Sequence, residues 1–315
     1  MRADRWSITC DVMDPACGLP VASLSMRPVI GDLLRTWRQR RHLSQLALSA
    51  QTGVSSRHLS YVETGRSKPS RQLVLYLAEH LNVPLRERNA LLLAAGYAPS
   101  YSRRTLDDGS SDMRYVRDAI ERLLKGHEPY PAFVIDRSWN VVARNESTGV
   151  LLHDVAHDLL IPPVNALRVA LHPDGLGPRI ANLSEWSAYL LRRLDHQMLA
   201  TGDPGLAELA REVRGYPGVA QPDQQAANPA NRVFVPLHLV NGARELRLLN
   251  MVATFGTALD VTAAELVIDA FYPADPATAQ ALRRVPRPGL RRHARRLQRG
   301  RPAGTGPRAG CPGAR

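Results

Sequence analysis

From Ile30 onward apolar residues recur at helical spacing, with Ile30, Leu33, Leu34 and Trp37 on one side and Arg35, Arg38 and Arg41 among the polar positions. That period predicts a first helix from about Ile30 to Arg41. Ser44 then suits the N-cap of a second helix, Gln45 to Gln51, with Leu46, Ala47 and Ala50 expected toward the core and Gly53 closing it in a left-handed conformation. Val54 anchors the tight turn that follows, and Ser55 caps a third helix, Ser56 to Thr64. This helix places Leu59 and Val62 inward and leaves Ser56, Arg57, Ser60 and Tyr61 largely outward. Gly65 ends it. Ser70 caps a fourth helix running through Leu73, Leu77 and Leu81, and Pro84 opens a fifth that stops at Gly96. Five short helices in about seventy residues, with a tight turn between the second and third, form a helix-turn-helix module.

The pattern lapses over the polar stretch 99–112, which reads as a linker. It resumes with Met113, Val116, Ile120 and Leu123 on an amphipathic helix broken at Gly126 and Pro129. The period then changes: 132–136 and 139–143 are short β-rich runs joined by a polar turn, followed by a helix from Asn145 through Leu151. Helices are expected at about 165–171, 182–199 and, after Asp203-Pro204, 205–214, then a Pro/Gln/Asn loop over 217–231. Two strands, Arg232 to Val240 and Arg244 to Thr254, flank Asn241-Gly242, a strong hairpin signal. Thr262 and Glu265 read as a capping box, with a Val261–Leu266 staple, opening a last helix through Phe271. The expected fold is multidomain: an N-terminal all-α five-helix domain and a C-terminal α+β domain with helices inserted between early and late strands.

Composition divides the chain further. Its 315 residues suffice for two domains, and its net charge of +12 is unevenly placed. Residues 26–99 hold eleven Lys/Arg against four Asp/Glu, whereas 283–315 hold eleven Arg and no acid, and the middle of the chain is mildly acidic. The expected organisation is a leader at 1–25, a helix-turn-helix domain at 26–99, a linker at 100–112, a second domain at 113–285 and an Arg/Pro/Gly-rich disordered tail at 286–315. Residues 1–25 fit either a disordered leader or a start misassigned upstream of Met26. The tail fits either a source of salt-sensitive, nonspecific DNA affinity or the product of a misread GC-rich frame. The three cysteines, Cys10, Cys17 and Cys311, lie in these extensions, where they can neither staple a core nor complete a four-ligand zinc site. No apolar run is long enough for a membrane helix and no secretory pattern opens the chain, so a cytoplasmic protein is expected.

Leu-Ser-Gln-Leu-Ala at 43–47, Thr-Gly-Val-Ser at 52–55 and Tyr-Val-Glu-Thr-Gly-Arg-Ser-Lys-Pro-Ser at 61–70 resemble the lambda-repressor-like XRE family of helix-turn-helix regulators. The resemblance implies that the third helix enters the major groove of a double-stranded operator while the second crosses the backbone. By position, Ser56, Arg57, Ser60 and Tyr61 would read bases, with Arg57 able to fork onto a guanine. Gln45, Ser55, Arg66 and Lys68 would contact phosphate. Arg38 and Glu63 match positions that commonly form an internal ion pair in this family, so Arg38 stays outside the base-reading set. A homodimer reading two half-sites, and association with the nucleoid, follow from the same resemblance.

Downstream, Phe133 through Asn145, Leu171-His-Pro-Asp-Gly-Leu176, Ala181-Asn-Leu-Ser-Glu-Trp186 and Thr254-Phe-Gly-Thr-Ala-Leu-Asp260 resemble the MmyB-like ligand-binding domain found behind XRE modules. That resemblance implies a PAS-like fold with a pocket for a small, largely apolar molecule, fatty acids being one such class. Trp139, Trp186, Phe234, Phe255 and Phe271 would suit such a pocket, but aromatics at these spacings are more often core, and no ligand-binding residue is assigned. His153 and His157 stand four apart beside Asp154 and Asp158, the spacing of a metal-binding helix face. The Glu of His-Glu-x-x-His is absent and no third ligand is spaced to join them, so no metal is expected. With no nucleophile elbow, phosphate loop or dinucleotide fingerprint, neither an enzyme nor a cofactor is expected. The competing reading is a protein-interaction or antitoxin-like scaffold with a helix-turn-helix and no ligand sensing.

Overall fold

The computed structural model describes residues 29–106, 109–220, 234–242 and 244–284. The expected leader and tail lie outside them, as does most of the 217–231 loop. Five helices open the fold: α1 (Ile30–Arg40), α2 (Gln45–Thr52), α3 (Ser56–Glu63), α4 (Arg71–His80) and α5 (Leu85–Ala94). The serine caps act as their positions predict. Ser44 Oγ accepts from Ala47 N, Ser55 Oγ from His58 N and Ser70 Oγ from Leu73 N, each satisfying an amide that the first helical turn leaves unpaired. Leu34, Trp37, Leu59, Val62, Val74, Leu77 and Leu91 meet in one core. α1 crosses α3 at Gly31, where a Cβ would lie 2.5 Å from the Glu63 carbonyl oxygen, so only glycine admits this approach.

One face is corrected. The core side of α2 is Leu48 and Thr52, four residues apart, whereas Leu46 is 73% exposed and Ala50 is exposed. An eight-residue helix offers too few turns for the period alone to fix which apolar residues point inward.

The second domain begins with α6 (Ser111–Gly126) and builds a five-stranded antiparallel sheet, ordered β2-β1-β5-β4-β3. Its strands are β1 (Ala132–Ile135), β2 (Val141–Arg144), β3 (Leu237–Asn241), β4 (Arg244–Thr254) and β5 (Val267–Pro273). Between β2 and β3 come α7 (Gly149–Leu152), α8 (Ala166–Leu171), α9 (Leu183–Thr201) and α10 (Pro204–Arg214). A four-residue turn, α11 (Val261–Ala264), precedes β5, and α12 (Pro276–Arg284) follows it. The central strands β1 and β5 are packed on both faces, whereas the far half of β4, Met251 to Thr254, is exposed. Ala132, Val134, Leu266 and Ile268 pack under α6, while Ile135, Leu246, Leu248 and Phe271 face the larger core with α8, α9 and α10. This curled sheet with helices inserted before its last strands is the PAS-like α+β arrangement.

β5 replaces the helix expected through Phe271. Asp260, not Thr262, caps the preceding turn, accepting from Thr262 N and Ala263 N, and Glu265 is drawn elsewhere. Val267-Ile-Asp-Ala-Phe-Tyr pairs with β1 on one side and β4 on the other. A strand covered on both faces reads as a near-continuous apolar run, without the alternation that marks a half-exposed strand. β3 starts at Leu237 rather than at Arg232, which lies outside the described residues. Trp139 is not in a strand: it has φ +66° in the β1–β2 turn, where the Asp136 carboxylate accepts from the Ser138 and Asn140 amides. His153 and His157 do not share a helix face, because α7 ends at Leu152 and Asp154 turns to φ +62°. Among the described residues no helix is long and apolar enough to cross a membrane.

The two domains are joined by charge. Arg137, from the β1–β2 turn, reaches Glu87 on α5 (3.3 Å), Asp203 at the start of α10 (2.7 Å) and Glu265 after α11 (3.2 Å). Arg86 on α5 forks onto the same Glu265 at 2.7 and 2.5 Å. Asp260 pins the connecting segment by accepting from Ser102 Oγ and Arg104 N, and Val261 N donates to Ser102 O. Burial pushes the Glu87 carboxyl above its ordinary range, against the nearby Arg137 charge. These side chains are partly buried, so removing one partner leaves the others partly desolvated and uncompensated, at a cost of about 1–3 kcal/mol. Arg137→Ala is therefore expected to resolve thermal unfolding into two transitions, one for each domain, where the wild type melts as one. Differential scanning calorimetry measures this, and a single unshifted transition would contradict it.

Candidate DNA-reading face and ligand cavity

α3 presents Ser56 and Arg57 exposed, with Ser60 and Tyr61 half-buried one turn further on. Arg57 Nε donates to Tyr61 Oη at 2.9 Å, and its guanidinium lies 5.4 Å from the Tyr61 ring centroid. The pair is preformed between exposed Arg57 and half-buried Tyr61 at i and i+4, so the arginine is oriented without being buried. Arg66 and Lys68 are both exposed in the segment after α3, and Lys68 Nζ stands over the Tyr97 ring at 5.2 Å. Gln45 is partly committed: its amide nitrogen donates to Glu63 Oε2 at 2.8 Å, leaving one N–H. Ser55 is exposed, with its hydroxyl capping α3.

The base of α3 is locked. Glu63 is buried, and it accepts from Arg38 at both carboxylate oxygens (2.7 and 2.8 Å) and from Arg35 at 3.5 Å. Arg38 also donates to the Leu43 carbonyl, so one carboxylate ties α1, the α1–α2 turn, α2 and α3 together. Burial pushes the Glu63 carboxyl up, but the Arg38 and Gln45 hydrogen bonds, with the Arg38 charge, outweigh it and hold the group below its ordinary range.

In the second domain a cavity of about 300 Å³ lies between the sheet and α8–α9. Trp139, Trp186 and Phe271, which their spacing left as core residues, line it. Phe133, Leu167 and Leu190 line it as well. Two of the five aromatics considered do not. Phe234 is 54% exposed, and Phe255 packs with the α6 core on the other side of the sheet. The cavity's one polar wall was not legible in the sequence. Arg193 (α9) binds Asp269 (β5) through both oxygens at 2.6 and 3.0 Å, and Asn250 (β4) donates to Asp269 at 3.0 Å while accepting from Tyr189 at 2.8 Å. Tyr189 and Arg193 stand one turn apart on α9, but Asn250 and Asp269 come from two strands far along the chain, and no spacing links them to the helix. Arg193 also lies 4.7 Å over the Trp139 ring. Trp139 Nε1 donates to Gln197 Oε1, and Gln197 Nε2 donates to the Arg137 carbonyl at 2.6 Å. A short chain of hydrogen bonds thus runs from the cavity wall to the arginine that meets the helix-turn-helix domain.

A capped helix-turn-helix joined to a PAS-like domain with an apolar internal cavity defines a DNA-binding regulator with a sensor attached. Comparison with protein families agrees. A model of the MmyB-like transcription regulator ligand binding domain matches residues 116–285, and a helix-turn-helix domain model matches residues 29–91. The chain belongs to the MmyB-like transcription regulators, and both matched families are DNA-binding or ligand-binding rather than enzymatic. No curated protein matches the chain.

Because the folded-state Glu63 carboxyl titrates below its unfolded value, its contribution is present above about pH 4.5 and is lost as pH falls through the depressed folded value. Glu63→Gln is expected to cost about 3 kcal/mol or more and to flatten that acid-side loss. Denaturant melts of the wild type and variant across a pH series measure both. A variant as stable as the wild type at neutral pH, with the same acid dependence, would contradict the locking role.

Proposed function

We propose that the protein regulates transcription by reading an operator with α3 while its second domain holds a small, largely apolar ligand of fatty-acid-like chain character. The observation that carries the DNA-reading half is Arg57. It is exposed on a capped, rigidly based helix and held by Tyr61 with its guanidinium fork available for the O6 and N7 of a guanine. Ser56, Ser60 and Tyr61 complete the base-reading set. Gln45, Ser55, Arg66 and Lys68 hold the phosphates, with Gln45 using the N–H that Glu63 leaves open. One recognition helix covers only a few base pairs, so the protein works as a homodimer on two half-sites about one helical turn apart. Its place is then the cytoplasm, on the nucleoid.

The ligand half rests on the apolar cavity and its connection to the reader. A ligand that displaces Trp139 acts on Gln197, and through it on the backbone that carries Arg137 between the domains. Coupling then amounts to a difference in ligand affinity between two arrangements of this interface.

Gel-shift titrations with an operator selected from random sequence test the reader. Arg57→Ala is expected to lose about 1–3 kcal/mol of discrimination at one base position. Lys68→Ala is expected to weaken all sequences alike and to reduce the salt dependence by roughly one phosphate contact. Unchanged affinity and base preference in Arg57→Ala would refute the assignment.

A further inference from the structure

The polar wall of the cavity specifies the head group of the ligand. Arg193 is the one cationic side chain in that wall, and both oxygens of Asp269 already engage its two terminal nitrogens. Asp269 is 3% exposed, so water screens the pair weakly. The wall is therefore neutral as built, one guanidinium against one carboxylate, in a chamber whose remaining lining is apolar apart from Thr148 and, at the rim, Arg144. A carboxylate entering it finds its natural partner occupied and a second carboxylate beside it, and a like-charge pair in a low-dielectric site is strongly disfavoured. A neutral hydrogen-bonding group meets the opposite situation. Asn250 Nδ2 spends one N–H on Asp269 and keeps another, while Asp269 Oδ2 receives one hydrogen bond, from Arg193, and retains accepting capacity. A hydroxyl or a primary amide can accept from the first and donate to the second at once.

We propose that the cavity binds an uncharged amphiphile, an alcohol or amide head on an aliphatic body, and rejects the corresponding carboxylate. This rests on reading the cavity as the ligand site. The body is short, because about 300 Å³ is at the lower end of the range of small-molecule pockets. The head lies against the Arg193–Asp269–Asn250 wall and the body against Leu167, Leu190 and Phe271. Arg144 also lines the cavity, but it stands exposed at the edge strand, paired in register with Phe133, where its charge is solvated. A carboxylate could be held there only with its head outward in water.

The test is isothermal titration of the full-length protein with 1-decanol, decanamide and decanoate, below their aggregation limits and well above the carboxylic-acid titration range. The alcohol and the amide are expected to bind at least about tenfold tighter than decanoate. Asp269→Asn, which leaves Arg193 uncompensated, is expected to narrow or reverse that ratio, and circular dichroism checks that the variant is folded. Decanoate binding as tightly as the neutral probes to the wild type overturns the proposal while leaving the cavity as the ligand site. If Arg144→Ala then abolishes decanoate binding, the head sits outward at the rim. If none of the three binds, the cavity is not the ligand site and the proposal falls with that reading.

Discussion

Arg137 is a half-buried cation with three carboxylates around it, and the relation between the two domains depends on it. Its partners come from different parts of the chain: Glu87 from the last helix of the reader, Asp203 from the start of α10 and Glu265 from the turn before β5. Among the described residues its Nε and the Glu87 Oε2 have no hydrogen-bond partner, so the cluster is closely packed without being saturated. Isolated surface ion pairs contribute little, but a partly desolvated cluster of several charges penalises any displacement that leaves one member unpaired. The interface therefore favours a defined arrangement and resists intermediate ones. That behaviour suits a joint through which one domain informs the other.

The two functional regions use their charges differently. In the reader, the Glu63 carboxylate is spent on architecture: it draws Arg38, Arg35 and Gln45 into one clasp and fixes the base of α3. The guanidinium available for outside chemistry, Arg57, is left in solvent with only a tyrosine to orient it. In the sensor, Arg193 and Asp269 neutralise one another at the wall of an apolar chamber. An exposed cation gains from a polyanion such as DNA, whose counterions it displaces. A half-buried, compensated cation such as Arg193 contributes direction and hydrogen-bonding geometry rather than net attraction.

Much of the architecture was legible along the chain. Caps, turn glycines and the 3.6-residue period placed α1 to α5 within a residue or two, because each signal is satisfied by neighbours a few positions away. The inward face of α2 was not legible, since Leu46 and Leu48 are equally apolar and only packing against α3 and α4 buries Leu48. β5 was hidden for a related reason. Its strand identity comes from pairing with β1 and β4, whereas Thr262 and Glu265 offered a helix start that the sheet overrode.

The sequence by itself determined the helix-turn-helix, the position of Arg57 on its outward face, the Arg38–Glu63 pair and the succession of strands and helices behind it, because these depend on local period, local capping or a resemblance carried by contiguous motifs. The tertiary structure alone decided the Arg137 cluster, the Trp139–Gln197 link and the neutral wall of the cavity. Each of these joins residues far apart in the chain, and their meeting is fixed by how the sheet curls and how α9 packs across it.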